Sequence, residues 1–186
     1  AIQRSQRLRA LLEADPALKA RLGPGKCLGE GGLDIEGLAV HGGRLHFGLR
    51  GPTDGADAFI VSVDAQAFFS GAPAALVLTR VPVGVGLGLR DMAATGQGLL
   101  LLVGPDDRAS HAGLGWAIWS WDGGDPGLPP KALAQLDLGQ VALRACDKET
   151  KPEGLTVLQA SAHAYRVLVL SDGMCDGGPL LFDVPR

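Results

Sequence analysis

Apolar residues along this chain keep two different periods. Over the first 22 residues they recur at helical spacing, with Leu8, Leu11 and Leu12 on one face. Ser5 is the candidate N-cap. Asp15-Pro16 then breaks the run: Asp15 can cap a second turn whose first position Pro16 fills without losing a hydrogen bond. Leu18 and Leu22 continue the stripe, and Gly23-Pro24 stops it. Such a stripe serves either to bind a partner or to pack on its own domain, and the second reading is preferred. Residues 1–24 are therefore read as an N-terminal helical segment, ahead of a domain spanning 25–186.

From residue 33 the period falls to two. "RLHFGLR" sets Leu45, Phe47 and Leu49 against Arg44 and His46. "AFIVSV", "ALVLTRV", "LRDMAAT", "LLLLVG", "WAIWSWD" and "ALAQLDL" follow, then "GLTVLQ", "YRVLVLS" and "PLLFDV". With the strand inside "GLDIEGLAV", this makes about eleven short strands separated by polar turns. They fall into repeats. Each repeat opens with an acid (Glu36, Asp91, Glu153), continues with a strongly apolar strand, and includes a strand ending in Asp ("SVD", "SWD", "LFD"). The acids are 55 and 62 residues apart. Repeats of roughly 40 to 60 residues with four strands are the mark of a propeller blade. A β-sandwich has a similar strand count, but the repeated acid favours the propeller. The expected fold is all-β: about three four-stranded propeller-type blades, the third with three visible strands, preceded by a short N-terminal helical segment.

The motifs "LDIEGLAVHGGRLHFGLRGP", "GLRDMAATGQGLLLLVGP" and "KPEGLTVL…VLVLSDG", in that order, resemble an uncharacterised bacterial family, domain of unknown function 3616. The resemblance covers residues 25 to 186 and implies a propeller-like fold. It extends more distantly to esterase-like and phytase-like propellers, whose blades also carry an acid-glycine pair at the start of an inner strand. Members of the family are longer, which implies that this chain is the carboxy-terminal half of a propeller. The family has no established reaction, so the resemblance informs the fold more than the activity.

Composition narrows the function classes. A net charge of -3 with no basic cluster excludes non-specific nucleic-acid binding. The longest purely aliphatic run, "LLLLV", falls far short of the ~20 residues of a membrane span. The 28 glycines and 12 prolines, without a collagen period, fit many tight turns. Cys27, Cys146 and Cys175 form no metal-binding spacing; one disulfide plus a free thiol is one option, and three buried thiols is the preferred one. No signal peptide is visible, and the compartment stays open with a lean towards periplasmic or secreted.

If the repeats are blades, Glu36, Asp91 and Glu153 face a common funnel. Carboxylates gathered there raise one another's pKa unless a cation intervenes. A calcium ion, which takes six to eight oxygen ligands, is the candidate cofactor, with Asp172 as a further ligand if it is not simply a turn residue. Arg50, Arg90 and Lys151 are the candidate ligand-binding cations. They equally serve to neutralise the acids without metal, and for each acid alone that structural pairing is preferred. Trp119 and Trp121 share a face and Trp116 lies out of phase, as blade-to-blade packing requires. His41, His46, His111 and His163 read as surface residues.

No serine lies in a Gly-x-Ser-x-Gly context. "GPGKC" and "GVGLGLR" both lack residues that a nucleotide loop needs. Two functions are expected to compete: a calcium-assisted phospho- or carboxyl-ester hydrolase acting on a small or phosphorylated molecule at the funnel, and a non-catalytic propeller scaffold that binds a ligand or protein there. Three blades cannot close a ring, so self-association or further blades of the same chain are the expected partners.

Overall fold

The computed structural model describes residues 2–22, 32–106, 113–124 and 128–186. Among the described residues, eleven strands form three antiparallel sheets, in agreement with the strand count read from the period of two. The first sheet runs β1 (Asp34–His41), β2 (Arg44–Asp54), β3 (Asp57–Asp64), β4 (Val77–Val81) in sequence order. The second runs β5 (Leu87–Thr95), β6 (Gly98–Pro105), β7 (Trp116–Trp121), β8 (Lys131–Leu136). The third has three strands, β9 (Lys151–Ala160), β10 (Ala164–Asp172) and β11 (Leu180–Pro185), with β10 in the middle. Each sheet is a meander, and the inner strands neighbour one another: β1 and β2 pack on β5, and β5 and β6 pack on β9. This is an all-β, partial propeller-type arrangement of three blades.

The blades are glued by two apolar layers. Ala39, Ile60 and Val81 of the first blade meet Leu89, Leu99, Leu101 and Val103 of the second. On its other face the second blade presents Leu100, Leu102, Trp116 and Ile118 to Tyr165, Val167 and Val169 of the third. The run "LLLLV" is thereby explained: β6 is buried on both faces, so polar alternation would leave unpaired groups in one layer or the other. The tryptophans divide as their phase requires, Trp119 and Trp121 on the first layer and Trp116 in the second.

Among the described residues, three short helices cover the outer face of the first blade. α1 (Arg7–Ala14) and α2 (Pro16–Lys19) lay Leu12 and Leu18 against Phe47, Leu49, Phe59 and Val61. α3 (Ala65–Ser70) adds Phe68 to the same cluster. The helical stripe therefore packs on its own domain. The Asp15 carboxylate accepts the amides of Ala17 (2.8 Å) and Leu18 (3.2 Å), as its place before Pro16 implied. Ser5 is not the N-cap: helix geometry begins one residue later, after Gln6. Its hydroxyl still accepts from the amide of Arg7 and donates to the carbonyl of Phe68, tying α1 to α3. Gly23-Pro24 lies outside the described residues. α3 has no counterpart in the sequence reading; it is announced only by Asp64, which caps it through the amide of Ala67 at 2.7 Å, and by Gly71 in the left-handed region at its end. On the far side of the stack, the outer face of the third blade leaves Leu158, Leu170 and Leu181 exposed.

Cys146 and Cys175 form a disulfide rather than standing as separate thiols. It fastens the segment before β9 to a 3-10 turn at Cys175–Gly177. Cys27 lies outside the described residues.

Candidate axial site

A bulge decides what stands at the axis. In each inner strand one residue is left out of the ladder near the strand's start: Glu36 between Ile35↔Leu49 and Gly37↔Gly48, Arg90 between Leu89↔Val103 and Asp91↔Leu102, and Glu153 between Ser171↔Pro152 and Leu170↔Gly154. A bulge re-aims its extra side chain away from the sheet faces. The equivalent positions are therefore Glu36, Arg90 and Glu153, and not Glu36, Asp91 and Glu153. The sequence reading aligned the carboxylates and missed by one residue, because a bulge shifts the alternation without changing composition.

The three side chains meet. Arg90 is the largest fully buried side chain, 1% exposed. Its Nε lies 2.8 Å from Glu36 Oε2, an ion-pair contact outside hydrogen-bond alignment, and its Nη2 donates to Glu153 Oε1. Its Nη1 donates to the carbonyl of Pro105 at 3.0 Å, and the guanidinium stands over the Trp116 ring. One cation of the second blade thus joins a carboxylate of the first to a carboxylate of the third. Around this centre, Arg50 donates through Nη1 to Glu36 Oε1 at 3.1 Å and lies 3.7 Å from Asp34. Lys151 Nζ lies 2.7 Å from Glu153 Oε1 and 3.6 Å from Asp172 Oδ2. The blades approach closely enough for this because Gly88 carries no Cβ, which would fall 2.1 Å from the carbonyl oxygen of Arg50.

Asp91 does different work. Its two oxygens accept the amides of its own neighbour Met92 (2.7 Å) and of Leu155 in the third blade (2.6 Å). Burial raises its pKa above the ordinary 3.8, with those two amides pulling the other way. Glu36 is likewise raised, first by burial and then by Asp34, against the pull of Arg90 and Arg50. A carboxyl with a raised folded-state pKa holds its proton more tightly in the fold. The part of its stability that depends on that proton is complete below the ordinary carboxylate value and is lost as pH rises through the raised one, while the hydrogen bonds it accepts remain. We expect Asp91→Ala to cost about 1–3 kcal/mol, the penalty of a buried amide left without its acceptor. Urea unfolding at neutral pH measures it; an unchanged midpoint would show that the Leu155 amide is satisfied without Asp91.

Asp172 ends β10 and accepts the amide of Gly173 at 3.0 Å, the Asp-Gly turn its sequence suggested, with its carboxylate largely exposed at the rim. The structure thus gathers Glu36, Glu153, Arg50, Arg90, Lys151 and Asp172, and holds Asp91 apart as a strut. It adds partners that sequence did not single out. Asp106 accepts from Arg50 Nε at its carbonyl (3.3 Å) and from Thr53 Oγ1 at its carboxylate (3.0 Å). The residues do not fit a calcium ion. Both oxygens of Glu36 face guanidinium groups, Glu153 Oε1 faces two cations, and both oxygens of Asp91 are taken by amides. A dication there would sit beside three fixed positive charges. Among the described residues, the group of three potential metal ligands that comes together is Cys146, Asp147 and Cys175, where the sulfurs are bonded to each other.

A family described as "Protein of unknown function (DUF3616)" matches residues 1–176. The chain belongs to this family. No curated protein and no solved structure matches the DUF3616 chain. The match reaches back through the helical segment as well as the three motifs, so the helices that cover the first blade lie within the family region.

One further pairing was not expected. His46, read as a surface residue, is wholly buried in β2. Its Nδ1 lies 2.8 Å from Ser62 Oγ on β3, and its Nε2 lies 3.3 Å from the carbonyl of His41. The first blade is covered on one face by the second blade and on the other by helices, so the polar phase of "RLHFGLR" no longer marks a surface. His41 is half-buried, His163 is exposed, and His111 lies outside the described residues.

Proposed function

We propose that the axial end of this DUF3616 chain is a non-catalytic scaffold, which locks three blades together and presents a charged rim to a ligand or protein. The supporting observation is the pairing of both Glu36 oxygens with guanidinium groups of two different blades. Both oxygens of Glu36 face fixed guanidinium charges, which disfavour a dication beside them and a proton on the carboxylate. The rim formed by Arg50, Lys151 and Asp172 is partly exposed, carries both signs, and suits a polar or anionic partner. The distant resemblance to phytase-like propellers favours a calcium-dependent hydrolase instead, but the cations stand where that reading needs metal.

The test is thermal unfolding and hydrolysis of p-nitrophenyl phosphate, each with calcium and with a chelator. The scaffold reading expects no change in melting temperature and no phosphatase activity in either condition. A calcium-dependent rise in melting temperature that Glu36→Gln removes would establish the metal site and overturn the reading.

A further inference from the structure

At the opposite end of the inner strands, between the first two blades, lies a cleft of about 480 Å³. Its wall includes His41, Arg44, Ser62, Trp121 and the glycines Gly123 and Gly124. Glu36 and His41 stand at the two ends of β1, about 16 Å apart at the rise of an extended chain, so this cleft is separate from the axial network. Ser62 lies in the cleft wall and His46 is buried behind it, and among the described residues' hydrogen bonds they form the one serine–histidine side-chain pair.

We propose that Ser62 is a nucleophile activated by His46, and that this cleft acts on small carboxyl esters, with Arg44 orienting an anionic group of the substrate. Four observations carry it. The Ser62 hydroxyl and His46 Nδ1 are 2.8 Å apart, within reach for direct proton transfer. The carbonyl of His41 can only accept, so His46 Nε2 carries the proton and Nδ1 is left as the base. Burial lowers the pKa of His46 below the ordinary 6.5, which keeps that base neutral at neutral pH. The ring is held edge-on to Trp121, and Arg44 is anchored beside the nucleophile by donating from Nη2 to the carbonyl of Ser62 at 3.0 Å.

The chemistry balances with water as the only co-reactant. Ser62 Oγ bonds to the ester carbonyl carbon while its proton passes to His46 Nδ1. The carbon–oxygen bond to the alcohol then breaks, and the alcohol leaves with that proton. Water adds to the acyl-serine, giving one proton to His46, and the carboxylic acid departs as Ser62 recovers its hydrogen. Such a pair is invisible to motif search, since Ser62 and His46 are cross-strand partners in neighbouring strands rather than neighbours in sequence.

The experiment is covalent labelling of the whole chain with a fluorophosphonate, read by intact mass and peptide mapping, alongside turnover of p-nitrophenyl acetate. The proposal expects a single adduct on Ser62 and none in Ser62→Ala. His46→Gln should slow labelling by at least ~100-fold, the usual contribution of a general base. Arg44→Gln should raise KM for an ester bearing a carboxylate more than KM for p-nitrophenyl acetate. Folded wild-type chain that gains no adduct on Ser62 overturns the proposal, whatever the variants do. Equal labelling of wild type and a folded His46→Gln also overturns it. Glu36→Gln should label like wild type, so failure here and failure of the axial scaffold reading are separately visible.

Discussion

Replacing Arg90 by methionine is expected to lower stability by about 3 kcal/mol. Removing one partner of a buried ion pair costs roughly 3–5 kcal/mol, because the remaining charge stays desolvated. The lower end applies here, since Glu36 and Glu153 are 22% and 31% exposed and can recover some hydration. Methionine keeps an apolar stem against Trp116, so the loss reports the charge rather than a cavity. The same reasoning gives the sign of the rescue. Adding Glu36→Gln and Glu153→Gln to Arg90→Met removes the carboxylates that lost Arg90 but also takes partners from Arg50 and Lys151, so the triple variant should regain only part of the lost stability. Denaturant midpoints with an unchanged slope are the readout.

Opening the disulfide is expected to have an effect of similar size. Cys146 and Cys175 are 29 residues apart, and a loop of that length corresponds to about 3.5 kcal/mol of chain entropy removed from the unfolded state. Substituting both by serine should lower stability by about that amount, and a reductant should do the same to wild type. Part of the local structure should survive, because Arg144 pairs with Asp147 at 3.0 Å and the amide of Cys175 donates to Asp147 at 2.6 Å. Those donors hold the Asp147 pKa well below the ordinary carboxylate value, Arg144 being the largest cause. Stability from that pairing is present at neutral pH and is lost as pH falls through the lowered value. If reductant leaves the midpoint of unfolding unmoved, the disulfide does not constrain this region in solution.

The strands were legible in the sequence because each blade is a meander of short alternating or wholly apolar runs bounded by turns. Their grouping into three sheets followed from the repeated inner strand. What composition alone does not encode is the ladder register at the start of those strands. Glu36 and Asp91 look equivalent by residue type, and the bulge makes Arg90 the equivalent residue instead. The same shift converts a cluster of acids that invites a metal into an alternation of Glu, Arg and Glu that neutralises itself. The cations were on view as possible neutralisers, but which acid each one meets is a matter of blade stacking. His46 was misread for a related reason: alternation sorts a face against its opposite, and says nothing when both faces are covered. α3 escaped because six residues are too few for helical periodicity to show.

The central claim is that Glu36 and Glu153 are held by Arg90, so that one guanidinium fastens the three blades. A double-mutant cycle tests it most directly. Glu153→Gln is made in wild type and in Arg90→Met, and the two costs are compared by urea unfolding. The account predicts a coupling of about 1–3 kcal/mol, with the Gln substitution costlier beside Arg90 than without it, where Lys151 is the partner that remains. Costs that add within about 0.5 kcal/mol would show that the two side chains do not interact across the blades, and would contradict the account.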